Sequence, residues 1–209
     1  MFKPVRGRTF LRDFLVIQVG LGMYGAAIAV MIRAGLGISA WQVLDVALSK
    51  IVGVTPGIMT MISGACVLVA ALSLREQIGW GTLANILSIG PWLDLTLRNF
   101  PEVPANLPLQ LAMLLLAILM MGVATGIYIG VDAGAGPRDS LMLALHRKLG
   151  WSLRRARGTL EIVVVAVGWL LGGPAGVGTV VFALLIGSSV QWALNWLKVV
   201  PHRPAEAVG

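Results

Sequence analysis

The chain has 209 residues, of which 57% are hydrophobic and only 12% are charged. So few charges cannot cover the surface of a water-soluble globule, which excludes soluble classes of protein and predicts a polytopic membrane protein. The formal net charge of +7 would suggest a nucleic-acid partner in a soluble protein, but in a membrane protein the charges follow the topology, so no nucleic-acid partner is predicted.

A basic N-terminal segment, residues 1–13, precedes the first apolar run. This run is too long for the apolar region of a cleaved signal peptide, so it predicts an uncleaved first span. A glycine break at Gly35 and Gly37 then leads into a helix too short to cross a bilayer about 30 Å thick, which is therefore re-entrant or interfacial. The first unit, residues 14–98, comprises spans over 14–33, 57–74 and 81–97 and the short helix over 41–50.

The same order of elements follows a proline-containing linker at residues 99–108. The second unit, residues 109–198, contains spans over 109–131, 155–171 and 178–197, and a second short helix that ends near residue 149. Its glycine break is Ala133–Leu141, and a C-terminal tail occupies residues 199–209. The predicted fold class is all-α, with six transmembrane helices and two short helices.

The two units are related by an internal repeat. An ungapped offset of 97 residues superposes Leu44 on Leu141, Gly53 on Gly150, Gly79 on Gly176, Thr82 on Thr179 and Gly90 on Gly187. The Ala-Gly-x-Gly sequences of the two breaks align only at an offset of 99, which predicts a two-residue insertion or deletion there and pairs Arg33 with Asp132. Such a series of matches indicates a duplicated unit.

Positive charges decide how the units are oriented. If each unit has three spans, the second unit is inverted, and all of the 16 Lys and Arg residues except Arg33, Lys50 and Arg98 fall on the cytoplasmic side. Parallel units of four spans would carry Arg147 and Lys148 across the bilayer, which is costly. We therefore predict two inverted three-helix repeats, with the N- and C-termini in the cytoplasm.

Two motifs carry a family resemblance. One glycine break leads into Trp41-x-x-Leu44, the other into Gly-Pro-x-Asp-x-Leu-Met at residues 136–142, and Gly-x-Gly-Thr follows later in each unit. In these motifs the chain resembles the YczE/YyaS/YitT-type family of bacterial integral membrane proteins over residues 14–197. The resemblance implies a multi-pass protein of the bacterial cytoplasmic (inner) membrane and supplies no reaction. That family usually has Pro-Trp-Asp at the first break, where this chain has Gln42 after Trp41, so the first site lacks its carboxylate.

The candidate substrate-binding residues lie at the breaks and inside the later spans of each unit. They are Trp41, Gln42, Thr82, Asn85, Gly134, Gly136, Arg138, Asp139, Glu161 and Thr179. Broken helices in inverted-repeat transporters bind anions at half-helix N-termini, and Arg138 and Asp139 stand at such a start. The alternative is a capped interfacial helix whose arginine contacts lipid phosphate.

Structural roles compete for the other candidates. Glu161 is either a functional group inside a span or the partner of Arg157 one turn earlier. Asn85 is interpreted as an interhelical hydrogen-bonding residue. Thr82 and Thr179 are expected to bond back to the helix backbone.

Charged residues near the predicted span ends are interpreted as interface residues. Asp94 is assigned to the outer interface, and Arg33 and Asp132 are interpreted as anchors. His146, beside Arg147 and Lys148, is assigned to a lipid-facing basic patch.

No metal or cofactor site is predicted. The single cysteine, Cys66, has no partner for an internal disulfide, and His146 and His202 have no Cys or Glu at ligand spacing. The sequence contains no phosphate-binding loop, zinc-protease motif or nucleophile elbow, so the protein is not expected to be an enzyme.

The leading functional hypothesis is a small-solute secondary transporter or permease component, with its site where the two breaks approach each other. Its predicted partners are the lipid bilayer and an unidentified small-molecule substrate. The alternative is a non-transporting scaffold or regulator that recruits a cytoplasmic protein through the basic surface Arg147–Arg157, and the glycine-rich helix faces are also compatible with a homodimer. An intramembrane enzyme using Glu161 and Asp139 is least favoured, because no nucleophile–base pair is visible.

Overall fold

The structure, a computed structural model, describes residues 9–74, 79–134 and 136–199, without the side chains of residues 153 and 154. Within these ranges every regular element is a helix, which confirms the all-α class. The helices are α1 (Phe10–Ala34), α2 (Ala40–Val52), α3 (Pro56–Ser73), α4 (Trp80–Asn99), α5 (Leu107–Gly130), α6 (Pro137–Leu149), α7 (Leu153–Leu170) and α8 (Val177–Trp196). Most of the predicted basic N-terminus, nearly all of the C-terminal tail and Ala135 of the second break lie outside the described residues.

Four of these helices, α1, α3, α5 and α8, are long and apolar enough to cross a membrane. The other two predicted spans, α4 and α7, have 20 and 18 residues. They are more polar, since α4 contains Asn85 and Asp94 and α7 begins among arginines and contains Glu161. The short helices α2 and α6 have 13 residues each, a length of about 20 Å that does not span a bilayer.

The helix bounds repeat along the chain. The helices α2, α3 and α4 begin at residues 40, 56 and 80, and α6, α7 and α8 begin at residues 137, 153 and 177, so each pair differs by 97. The first helices, α1 and α5, begin at residues 10 and 107, again 97 apart. The repeat therefore extends over the whole described chain at one offset.

The predicted insertion or deletion at the breaks is wrong. At the offset of 97, Gly37 corresponds to Gly134, and both have positive φ, 114° and 127°. Gly35 corresponds to Asp132, and these residues also have positive φ, 69° and 53°. Backbone conformation, rather than the Ala-Gly-x-Gly letters, identifies the equivalent positions, so the pairing of Arg33 with Asp132 is wrong as well.

The first helices of the two halves pack against each other at the centre of the protein and run antiparallel. Gly20 of α1 lies against Ala124 and Tyr128 of α5, whereas Gly35, just after α1, lies near Gln110 at the other end of α5. Each first helix also packs against the last helix of its own half, α1 with α4 and α5 with α8. Glycines permit this close approach. In lipid, close packing holds helices together, because the hydrophobic effect does not act between them.

Each break packs against the last helix of the opposite half. The carbonyl oxygen of Leu36 accepts a hydrogen bond of 2.7 Å from Gly178 N at the start of α8. Equivalently, the carbonyl oxygen of Ala133 accepts one of 3.0 Å from Gly81 N at the start of α4. A Cβ on Gly37 would lie 2.8 Å from Thr179 Oγ1 and one on Gly134 would lie 3.0 Å from Thr82 Oγ1, so side chains at these glycines would push the halves apart.

The two threonines at these contacts bond to backbone, as predicted. Thr82 Oγ1 accepts a hydrogen bond of 3.3 Å from Gly79 N, and Thr179 Oγ1 accepts one of 3.2 Å from Gly176 N. Both bonds cap the first turn of a helix. Thr82 and Thr179 thereby fix the helix starts on which the opposite breaks rest.

The two halves differ at one interface. Helices α3 and α4 pack tightly: a Cβ on Gly90 would lie 2.4 Å from the carbonyl oxygen of Gly57. The equivalent helices, α7 and α8, do not pack along their described lengths. At Gly187, the equivalent of Gly90, no atom that the structure describes outside its own stretch of α8 lies within 4 Å of the Cβ position. The second half therefore has an open slot where the first half has a closed contact.

This difference predicts opposite effects of the same substitution. Gly90→Ala is expected to lower the free energy of unfolding by at least about 2 kcal/mol, because the new methyl group overlaps the backbone of α3. Gly187→Ala, its matched control, is expected to change stability by no more than about 0.5 kcal/mol, because its methyl group enters open space. Thermal melting of both purified variants in detergent measures the difference in stability. Equal melting temperatures would contradict the tight α3–α4 packing.

Candidate functional site

A cavity of about 590 Å³ lies between the two short helices and the slot between α7 and α8. Its volume is within the range of small-molecule binding sites, about 300–1,000 Å³. Both halves line it, and the start of each short helix reaches it: Ser39–Gln42 of the first half and Gly136–Asp139 of the second. The two breaks therefore meet at one cavity.

An ion pair joins the short helices beside this cavity. Arg138 Nη2 of α6 lies 2.9 Å from Asp45 Oδ2 of α2. The side chain of Asp45 is 0% exposed and that of Arg138 is 23% exposed. A carboxylate so deeply buried requires a partner, because desolvation of an unpaired charge is very costly. Arg138 therefore supplies the ionic partner that the buried Asp45 carboxylate requires.

Two further contacts position this ion pair. The guanidinium carbon of Arg138 lies 4.9 Å from the centroid of the Trp41 ring, a cation–π contact. Thr60 of α3 contacts both Asp45 Oδ2, at 3.0 Å, and Gln42 Oε1, at 3.3 Å. The pair thus connects α2, α3 and α6.

Asp139 is the next residue after this arginine and lines the cavity. It is half-buried, and its carboxylate accepts a hydrogen bond from the backbone of Gly136 at the start of α6. Enclosure raises the pKa of the Asp139 carboxyl above its ordinary value, although the guanidinium groups of Arg157 and Arg138 oppose the rise. The cavity therefore contains a carboxyl group whose proton is held more tightly than usual.

A second ion pair lies on the α7 wall. Arg157 Nε lies 3.0 Å from Glu161 Oε1, and the two side chains are 58% and 38% exposed. The predicted i,i+4 pairing is confirmed. Both residues also line the cavity, so the structural and the functional interpretation of Glu161 apply together. A pair this exposed contributes little to stability and remains accessible to a ligand.

The structure gathers most of the predicted site residues. Eight of the ten line the cavity: Trp41, Gln42, Asn85, Gly136, Arg138, Asp139, Glu161 and Thr179. The other two, Gly134 and Thr82, lie instead in the contact between the second break and α4. Asn85 lines the cavity, with its Nδ2 3.9 Å from the Cβ position of Gly136, and its interpretation as an interhelical hydrogen-bonding residue stays a prediction.

Sequence reasoning missed several polar residues of the site. Asp45 and Thr60 belong to the buried network, and Tyr24 and Tyr128 line the cavity from the central helices. Asp45 is one turn after Gln42 on α2, so the two side chains lie on the same face of the helix. This spacing is the signal in the sequence that could have identified Asp45. It supplies the carboxylate that the first break itself lacks.

Asp94 has a structural role. Its carboxylate accepts hydrogen bonds from Thr55 Oγ1 and, at 2.8 Å, from Gly57 N. These groups lie at the start of α3, so Asp94 of α4 caps that helix and stabilises the positive end of its dipole. Arg33 is likewise tied to the end of α4, since its Nη2 donates to the carbonyl oxygen of Leu97 at 2.7 Å.

Among the residues that the structure describes, no group of three or more His, Cys, Asp or Glu side chains could hold a metal ion. The chemistry that the described cavity offers is therefore ionic pairing, hydrogen bonding and apolar contact. Its lining combines two guanidinium groups, two carboxyl groups, two phenols and an indole with aliphatic side chains.

Comparisons with known proteins place the chain in a family. The chain is 34% identical to an "Uncharacterized protein" of Haemophilus influenzae, over 91% of this chain and 87% of the relative. It is 30% identical to the "Uncharacterized membrane protein YczE" of Bacillus subtilis, over 82% of this chain and 79% of the relative. It is 25% identical to the "Uncharacterized protein YyaS" of the same organism, over 83% of this chain and 88% of the relative. No solved structure matches the chain.

These relatives confirm the resemblance of the chain to YczE and YyaS. Together with the four apolar helices, they identify a membrane protein. The characteristic sequence pattern of one family matches residues 11–195, which include all of α2–α7 and nearly all of α1 and α8. The chain belongs to the family of unknown function DUF6198.

Proposed function

We propose that the protein is a small-solute secondary transporter or permease component of the bacterial cytoplasmic membrane, and that the cavity is its substrate site. The observation that carries this proposal is a polar, charged cavity built by both halves of a repeat inside an apolar helical protein. Ionisable groups at membrane depth are costly, and where they face a cavity they mark the pathways of substrates and ions. The solute is bound and moved without chemical change, so the protein is not an enzyme.

In this proposal α4 and α7 also cross the membrane, which gives six spans in two inverted units. Asn85 of α4 and the pair Arg157 and Glu161 of α7 face the cavity instead of lipid. The short helices α2 and α6 are re-entrant and bring their N-termini to the substrate, as the broken helices of inverted-repeat transporters do. The antiparallel packing of α1 and α5 supports this arrangement.

Reporter fusions test the topology. Reporters that distinguish the two sides of the membrane, fused after residues 52, 102 and 175, are all expected to report an external position, and a fusion at the C-terminus a cytoplasmic one. A cytoplasmic signal at residue 52 would contradict the inverted arrangement.

Transport itself is tested in liposomes that contain the purified protein. A screen of small metabolites is expected to identify at least one that enters faster than in empty liposomes, and Asp139→Asn is expected to abolish that uptake. Glu102→Gln is the matched control, because Glu102 has a side chain 92% exposed and lies away from the cavity. Absence of uptake, together with absence of any ligand that raises the melting temperature, would contradict the proposal.

The scaffold alternative has one observation in its favour. Lys148 at the end of α6 and Arg155 at the start of α7 are exposed and do not line the cavity. If this basic surface recruits a cytoplasmic protein, the double variant Lys148→Glu/Arg155→Glu loses that protein in a pulldown while transport is unchanged. The transporter proposal expects the reverse pattern from Asp139→Asn.

A further inference from the structure

The cavity has a side opening between α7 and α8. In the first half, the equivalent position is closed, because a Cβ on Gly64 of α3 would lie 3.3 Å from Ile86 Cγ1 of α4. All four equivalent residues line the cavity, Gly64 and Ile86 in the first half and, 97 positions further on, Glu161 and Ala183 in the second, but α7 and α8 do not pack along their described lengths. The opening extends along α8 from Thr179 to Gln191, a length of about 18 Å at 1.5 Å per residue. A slot of this length parallel to the helices opens towards lipid.

The lining has a polar and an apolar part. The first half and α6 contribute the polar groups of Gln42, Thr60, Asn85 and Asp139. The α7 and α8 walls combine Arg157, Glu161 and Gln191 with the aliphatic and aromatic side chains of Ile162, Val165, Phe182, Ile186 and Val190. Ile162 is 68% exposed. A molecule that contacts both kinds of side chain has a polar end and a hydrocarbon end.

The charges of the cavity indicate the kind of polar end. Two cations, Arg138 and Arg157, and two carboxyl groups, Asp139 and Glu161, line it. Arg138 is already paired with the buried Asp45, so the charges left for a ligand are those of Asp139 and of the accessible pair Arg157 and Glu161. Both signs remain among these three groups, so a purely anionic or purely cationic group would face a like charge in a site of low dielectric constant. They complement a headgroup that itself carries one charge of each sign.

We propose that the occupant of this cavity is a membrane phospholipid with a zwitterionic headgroup. The headgroup contacts the charged residues of the cavity, and the acyl chains leave between α7 and α8 into the surrounding bilayer. This assignment rests on the proposed transport function, because it names the substrate class of the same site. It specifies the transported molecule as an amphiphile, which reaches the site sideways from the bilayer.

The test measures binding to the intact protein by native mass spectrometry, with three probes. The probes are phosphatidylethanolamine, diacylglycerol with the same acyl chains and no headgroup, and water-soluble phosphoethanolamine with no chains. Phosphatidylethanolamine is expected to bind at one saturable site, at least about tenfold more tightly than either fragment. Phosphatidylglycerol, whose headgroup is anionic, is expected to bind more weakly than phosphatidylethanolamine.

A substitution in the opening separates this site from lipid on the outer surface. Ala183→Trp fills the slot and is expected to weaken phosphatidylethanolamine binding at least about tenfold. Leu184→Trp is the matched control, because Leu184 is the next residue of α8, is 73% exposed and does not line the cavity. Ala183 is itself exposed, and equal melting temperatures of the two variants establish that both are folded. Equal binding by the two folded variants would overturn the proposal.

The remaining outcomes distinguish this inference from the transport proposal. Phosphoethanolamine that binds as tightly as the intact lipid, or tighter binding of phosphatidylglycerol, would overturn the assignment of a zwitterionic amphiphile while leaving transport of a solute in place. Saturable binding of phosphatidylethanolamine without its movement between the leaflets of a vesicle would support the inference and contradict the transport function.

Discussion

Replacing Arg138 by alanine is expected to destabilise the protein and to abolish transport. Asp45 would then remain as a fully buried carboxylate whose described contacts are reduced to Thr60. Breaking a buried ion pair in this way costs about 3–5 kcal/mol, because the remaining charge is desolvated without compensation. Loss of the contact with the Trp41 ring adds to this effect. Thermal melting in detergent measures the stability, and uptake or ligand binding measures the function.

A double variant separates the two consequences. In Asp45→Asn/Arg138→Gln neither residue is charged, so no buried charge lacks its partner, and most of the lost stability is expected to return. Function is expected to remain lost, because the cavity has no guanidinium group at the start of α6. Arg98→Gln, at an exposed arginine in the last turn of α4, is the control and is expected to match the parent protein. An Arg138→Ala protein as stable as the parent would contradict the role of this pair.

Local signals in the sequence were sufficient to predict most elements of the fold. Helix lengths, glycine breaks and the offset of 97 residues placed six longer helices and two short ones close to their positions in the structure. These features depend on neighbouring residues and on apolar patterning, which a single sequence displays. The alignment of the breaks failed because it compared letters, whereas Gly37 and Gly134 are equivalent through their positive φ and their contacts with the opposite half.

The candidate site could be predicted only in part, because its key contact joins residues that are distant in the chain. Arg138 and Asp139 stood out at a helix start, but their sequence neighbourhood contains no sign of Asp45, which is 93 positions from Arg138. Each break packs against the opposite half of the protein, and this packing brings Asp45 and Arg138 together. Residues on α1 and α5, such as Tyr24 and Tyr128, also enter the site only through tertiary packing.

The difference between the halves was not predictable from the repeat, because a repeat alone implies equal contacts. In the structure α3 and α4 are closed against each other, and α7 and α8 are separated. The proposed alternating access of an inverted repeat requires two such unequal conformations, which the halves would exchange during the cycle. In the opposite conformation α7 and α8 would meet, and a slot between α3 and α4 would open towards the other leaflet. A phospholipid bound through the first slot would then leave through the second.

Locking α3 to α4 is therefore expected to stop transport. The Cβ position of Gly64 lies 3.9 Å from Cβ of Ile86, which is within the range of about 3.5–4.5 Å that a disulfide requires. The double variant Gly64→Cys/Ile86→Cys, made in a Cys66→Ala background, is expected to form the bond on mild oxidation and to lose transport at least about a hundredfold. Reduction is expected to restore transport, and the two single-cysteine variants are expected to be insensitive to the oxidant.

This experiment distinguishes a moving α3–α4 contact from a permanent one. If α3 and α4 separate in every cycle, the disulfide removes a required conformation. The ligand then still binds through the slot between α7 and α8, but it is no longer released between α3 and α4. If the contact is permanent, the oxidised protein transports at the rate of the reduced protein, although mass spectrometry shows the bond to be complete. That second result would limit exchange to the slot between α7 and α8, where the open half already gives the ligand access to Arg157 and Glu161.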